Sequence, residues 1–137
     1  MNILFFLKPK SETVYIYSDE SLRQVLEKME YHRFSAVPMI DRESGAYVGT
    51  ITEGDLLIEV KRKFDLSLED AENIEVKDIP RNRDNKPVDA DANMEDLFQT
   101  VMNQNFVPVI DDKRHYIGIV TRKDVIGYLL SKDEKKE

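Results

Sequence analysis

The chain has 137 residues, of which 41% are hydrophobic and 34% charged, and its formal net charge is −7. That composition folds, with room for one compact unit or two small lobes. The acidic balance argues against nucleic-acid backbone binding, and no stretch reaches the roughly 20 apolar residues of a membrane span.

There is no cysteine, which removes any disulfide framework, thiolate metal site or cysteine nucleophile and fits a reducing, cytoplasmic compartment. Residues 1–10 carry the apolar run Ile3, Leu4, Phe5, Phe6 and Leu7. It lacks a basic flank and a small-residue cleavage site, so it reads as a lead-in packed on the core and not as a signal peptide. Val14, Tyr15, Ile16 and Tyr17 make a β-rich run. After a turn, Ser21 and Gln24 have capping-box spacing, and Leu22, Val25, Leu26 and Met29 then recur at helical spacing. Residues 34–40 predict a strand that contains Val37 and Pro38, residues 41–45 a hairpin turn, and residues 47–52 a third strand. A second helix is expected from Asp55 to about Phe64, with Lys61, Arg62 and Lys63 at its end, where cations suit the dipole.

Ser67 and Asp70 mark the start of a short connecting helix. Residues 79–87 contain Pro80, Pro87, Asn82 and Asn85 and read as an irregular loop carrying Arg81, Arg83 and Lys86. The order of the first half then returns. Met94 answers Leu22 at an offset of 72, Pro108 answers Pro38 at 70, and Gly118 answers Gly49 at 69. The second copy is therefore two residues shorter between helix and strand, and one shorter in the hairpin. Such repetition fixes the architecture: an α/β (α+β) chain of two β-α-β-β-α motifs. The expected boundaries are 1–66 for the first motif with its lead-in, 67–80 for the connector, 81–132 for the second motif and 133–137 for a charged, fraying tail.

Each copy ends in the same spacing: Gly49, Thr52 and Asp55 in the first, Gly118, Thr121 and Asp124 in the second. A strand stops at the Thr, whose hydroxyl can cap the helix that follows, and the Asp falls in the first helical turn. Hydroxyl, carboxylate and free N–H groups converge there and can hold a phosphate or a sugar hydroxyl. The same spacing is also close to a plain capping box, which needs no ligand. Between Thr and Asp the first copy has Glu53 and Gly54, the second Arg122 and Lys123. Phosphate is expected at the second turn, aided by Arg122, Lys123 and the Arg81–Arg83 loop, because guanidinium groups bind phosphate in bidentate fashion. Binding at the first turn is expected to be weaker or absent.

His32 and His115 lie in different copies without ligand partners at metal spacing, so no metal site is expected. No P-loop, dinucleotide Gly fingerprint or nucleophile elbow occurs, and no nucleophile–base constellation is visible, so no catalytic residue is assigned and an enzyme is not expected.

The repeated Pro-containing strand (Ala36, Val37, Pro38, Met39 and Phe106, Val107, Pro108, Val109) and the repeated Gly-x-x-Thr-x-x-Asp turn resemble a tandem pair of CBS domains. The resemblance spans residues 11–132. The Leu7, Lys8, Pro9, Lys10 start and the loop at 79–85 are similar to those of short stand-alone bacterial CBS proteins. The resemblance implies two pseudo-twofold related motifs with clefts between them that take an adenine nucleotide (AMP, ADP, ATP or cyclic di-AMP). Carried over by position, it puts Thr52, Asp55, Thr121 and Asp124 on ribose and phosphate. Ala36, Val37, Phe106 and Val107 would line adenine, with Tyr15, Ile16, Pro87 and Val88 as the other wall. It also implies a homodimer through the helices. The apolar Leu56, Leu57, Ile58 and Val125, Ile126, Leu129, Leu130 independently point to one.

Two functions follow. One is a regulatory sensor that binds nucleotide, needs no cofactor and signals to an unknown protein partner. The other is a structural or interaction module without a nucleotide ligand, whose Thr–Asp turns are only caps.

Overall fold

The computed structural model describes residues 2–63 and 67–136. The chain opens with a 3-10 turn at Ile3–Phe6 and a short strand, β1 (Lys8–Pro9). It continues through β2 (Ile16–Tyr17), α1 (Leu22–His32), β3 (Ala36–Ile40), β4 (Tyr47–Thr52), α2 (Glu53–Arg62) and α3 (Leu68–Glu72). After a 3-10 turn at Val76–Asp78, the second half gives β5 (Val88–Asp89), α4 (Met94–Val101), β6 (Phe106–Ile110), β7 (Tyr116–Thr121) and α5 (Arg122–Lys136). The mixed α+β class and the doubled β-α-β-β-α order match the sequence reading. The expected helix end near Phe64, the boundary at 66 and Glu137 lie outside the described residues.

The chain divides into two compact units at other points than the sequence boundaries. Val14–Asp84 is one; the segment up to Thr13 and the chain from Asn85 onward form the other. The first unit has the sheet β2-β3-β4, with β2 parallel to β3 and β3 antiparallel to β4. The second has β1-β7-β6-β5. Its β5–β6–β7 part repeats the first sheet, and β1 is an addition from the lead-in. Pro38 pairs with Thr50 and Pro108 with Ile119. A proline has no N–H for a second neighbour, and β2 and β5 begin their pairing only at Met39 and Val109, one residue beyond it.

Local signals start each helix. Ser21 and Gln24 form the reciprocal capping box, as do Ser67 and Asp70. α4 starts from Asn93, which accepts the Asp96 N–H at 2.8 Å. α5 continues to Lys136, through the tail expected to fray, because Lys and Glu sustain a helix.

Each unit buries its own core. In the first, Ile16, Leu22, Val25, Val37, Ile51 and Leu56 close on one another with Val76 and Ile79 from the connector. In the second, Leu97, Val107, Val109, Val120 and Val125 receive Ile3 and Phe6 of the lead-in. Leu56 and Val125, read as parts of exposed faces, are inside, because one side of α2 and of α5 covers its own sheet. Leu57, Ile58, Ile126, Leu129 and Leu130 remain exposed.

The lead-in is tied to the second unit. Lys8 pairs with Ile119 and Pro9 with Gly118. Gly118 has φ +151°, and a Cβ there would stand 2.1 Å from the Lys8 carbonyl oxygen. Nothing larger than glycine allows that approach. The Thr13 and Tyr116 hydroxyls share a hydrogen bond of 2.9 Å.

Candidate functional site

In the first turn, Thr52 is the N-cap of α2. Its hydroxyl accepts the Asp55 N–H at 3.1 Å, and Asp55 Oδ2 accepts the Thr52 N–H at 3.1 Å. The box read from the sequence is therefore complete. A third bond was not foreseen: Asn82 donates its N–H to Asp55 Oδ1 at 3.1 Å. Both carboxylate oxygens are occupied, and Asp55 is only 4% exposed.

Asn82 is held there by a clasp. Arg81 Nε donates to Asp84 Oδ1 at 2.7 Å, and the same oxygen accepts the Thr50 N–H at 2.9 Å. Partial burial pushes the Asp84 carboxyl up, but the Arg81 guanidinium and the Thr50 N–H outweigh it and hold it below the ordinary carboxylate value. The hydrogen bond to Asp84 correspondingly raises Arg81. The clasp lies over Gly49, where a Cβ would be 2.8 Å from Asp84 Oδ1 and 2.9 Å from Arg81 Nε and Nη2. Arg81, expected to serve the second turn, thus spends its guanidinium on Asp84, beside the first turn. Arg83 is exposed.

The second turn differs. Thr121 accepts the Asp124 N–H at 3.1 Å, but among the described residues the Asp124 carboxylate accepts no hydrogen bond, and Asp124 is exposed. Arg122 does not stand free beside it. Its Nε donates to Val101 O at 2.9 Å and its Nη2 to Met102 O at 3.3 Å, closing the carbonyl end of α4. The Arg122 N–H goes to Asn105 O at 2.9 Å. Lys123 is exposed, and its N–H, in the first helical turn, has no intrahelical acceptor.

The residues expected to line a base sit on the strands as the repeat requires. Ala36 and Val37 open β3, and Phe106 and Val107 open β6; Val37 and Val107 are buried. Ile16 is fully buried in β2 and Val88 nearly so in β5, while Tyr15 and Pro87 are half-buried just before them. Gln104, which sequence reasoning passed over, is buried and fills the shortened connection after α4. Its amide binds Lys86 N at 2.6 Å, Lys86 O at 3.0 Å and Phe106 O at 3.2 Å. Asn85 Nδ2 reaches the same Phe106 carbonyl at 3.2 Å. Its sequence signal was only an amide residue where the repeat loses two positions.

His115 pairs with Asp111 at 3.0 Å across its hairpin, and His32 stacks on Phe34 at 5.9 Å. No group of three metal-ligating side chains occurs among the described residues, and none of their helices is long and apolar enough to cross a membrane.

The family model described as the CBS domain matches the chain twice, over residues 7–62 and 76–131. The uncharacterized protein MJ1225 of Methanocaldococcus jannaschii is 22% identical over 135 residues, which covers 90% of this chain and 48% of that one. The chain thus spans about half that relative's length. A structure of CbpB in complex with c-di-AMP superposes with a TM-score of 0.84 at 23% identity, covering 100% of this chain and 91% of that one. A structure of CBSX2 in complex with AMP gives 0.74 at 22% identity, covering 96% and 98%. At these identities the two structures speak for the fold.

Proposed function

Because this chain belongs to the CBS domain family and carries the domain twice, we propose that it is a regulatory sensor that binds an adenine nucleotide at its second Thr–Asp turn and signals to a protein partner. The carrying observation is the contrast between the two carboxylates: Asp124 is exposed with no protein donor among the described residues, whereas Asp55 is buried with one oxygen accepting the Thr52 N–H and the other the Asn82 N–H. A carboxylate accepts from both hydroxyls of a ribose, and such charge-assisted bonds are the stronger kind. Thr121 and the open N–H of Lys123 then meet the phosphate at the helix N-terminus, with the Lys123 ammonium as the nearest uncommitted cation in sequence. The β6 backbone at Phe106 and Val107 and the half-buried Pro87 border the place for the base, with the side chains of Val107 and Val88 in the core behind them. CbpB and CBSX2, which share the fold, are described with c-di-AMP and AMP, and CBS domains are generally regulatory, not catalytic.

The module works by differential binding between two states, and no residue here is assigned to making or breaking a bond. It acts in the cytoplasm as a homodimer, whose interface uses the exposed Leu57 and Ile58 of α2 and Ile126, Leu129 and Leu130 of α5. The first turn favours the second reading, a helix cap without a ligand, because its box is closed on itself.

Mass spectrometry of small molecules released from the purified protein tests the reading, with AMP, ADP, ATP and cyclic di-AMP then titrated in a thermal melt. A native-state ligand raises the melting temperature. No released nucleotide and no shift with any of the four would sink it.

A further inference from the structure

We propose that residues 81–84 are a built-in occupant of the first Thr–Asp turn, and that Arg81, Asn82 and Asp84 determine which of the two turns is open to a nucleotide. This rests on the nucleotide reading above and adds the device that makes the turns unequal. The two turns have the same Thr and Asp, the same strand register and the same bond from Thr hydroxyl to Asp N–H. Besides the residues between Thr and Asp, Glu53 and Gly54 against Arg122 and Lys123, what separates them is the segment laid over each. The second turn's glycine is crossed by Lys8 and Pro9, which touch Gly118 through main-chain atoms and give nothing to Asp124 among the described bonds. The first turn's glycine is crossed by Arg81 and Asp84, and Asn82 between them reaches Asp55.

The Asn82 N–H takes the place a ribose hydroxyl would take on Asp55 Oδ1. Three contacts hold it in register: the Arg81–Asp84 pair, the Thr50 N–H on Asp84 Oδ1, and the bare Cα of Gly49 under both side chains. A nucleotide can use Asp55 only after this segment lifts. Its apparent affinity there falls by the fraction of molecules in which it has lifted.

Gly49 offers a clean perturbation. It takes none of the φ values that disfavour a side chain, yet an added methyl would press on the far ends of Asp84 and Arg81 while leaving Thr52 and Asp55 as they are. The test is isothermal titration of the wild type, Gly49→Ala and Asp84→Ala with AMP and with cyclic di-AMP, each variant first checked for a cooperative melt. The expected result is one nucleotide-binding Asp turn per chain in the wild type, lost in Asp124→Ala. In both strap variants a second site appears, at least tenfold tighter than any residual first-turn binding in the wild type, and disappears when Asp55→Ala is added. One Asp124-dependent site in all three folded proteins would overturn the strap and leave the sensor standing. A wild-type site that depends on Asp55 would also overturn it. Absence of binding by all three would remove the nucleotide reading and the strap with it.

Discussion

The backbone N–H of Asn82 lies 3.1 Å from Asp55 Oδ1, whereas the matching Asp124 carboxylate receives no such donor among the described residues. Two substitutions with the same chemistry should therefore read out differently. Asp55→Ala leaves the Thr52 and Asn82 N–H groups without their acceptor and should cost about 1–3 kcal/mol. Asp124→Ala keeps the backbone bond to Thr121 and should change the melting temperature of the free protein little, while abolishing its rise with nucleotide. Urea and thermal melts with and without AMP check both. An Asp124→Ala protein that still responds fully to nucleotide contradicts the site assignment.

The Thr–Asp turns themselves were legible because a cap is a local device: hydroxyl, N–H and carboxylate lie within four residues of one another. The strands and most helix starts were legible for the same reason. What sits on top of the turns was not. The loop with Arg81 and Arg83 was assigned to the second turn because it precedes β5 in sequence, but Asp84 finds its acceptor-hungry partner in the Thr50 N–H, 34 residues back. Arg122 was read as a phosphate ligand from its place beside Thr121, yet the open carbonyls of α4 compete for it. The lead-in was placed with the first motif by adjacency, and the fit of Gly118 under Lys8 places it with the second.

Lys123→Ala should weaken AMP binding by roughly two- to fivefold and leave adenosine binding unchanged, since one exposed charge contact contributes about 1 kcal/mol or less. Competition titrations with both ligands check this. An equal loss for adenosine would move Lys123 from the phosphate to another part of the site.

The acid limb of the stability curve should show the clasp. Asp84 is held below its ordinary value in the folded chain. Its contribution is therefore complete above the unfolded carboxyl value of about 4 and is lost as pH falls through the folded value. Asp84→Asn removes the charge that Arg81 holds. Its stability should fall less steeply than the wild type's below about pH 4, measured as urea midpoints against pH; parallel curves would argue against a charged clasp.

Two glycine substitutions should have opposite signs. Gly118→Ala meets the Lys8 carbonyl and a φ of +151°, so it should destabilise by about 1–3 kcal/mol or more. Gly127→Ala, in α5 with nothing within 4 Å of its added methyl, should stabilise by up to about 1 kcal/mol. Denaturant midpoints measured side by side give both.

Leu57 and Leu130 are 69% and 61% exposed. Leu57→Glu and Leu130→Glu should each convert a dimer seen by light scattering at micromolar concentration into a monomer, with secondary structure unchanged. A wild type that already scatters as a monomer refutes the assembly.

The pairing of Lys8 with Ile119 has a consequence during synthesis. The stretch from Val14 to Asp84 is continuous and can close as it leaves the ribosome. Ile3 and Phe6 emerge before any of it, but the strand that receives their segment is made 111 residues later. At about 5–20 residues per second they wait on the order of 5–20 s with their apolar side chains in water. The lead-in thus waits longer for its partner strand than the unit from Val14 to Asp84 waits for its own strands, and that interval is when a chaperone has the most to hold.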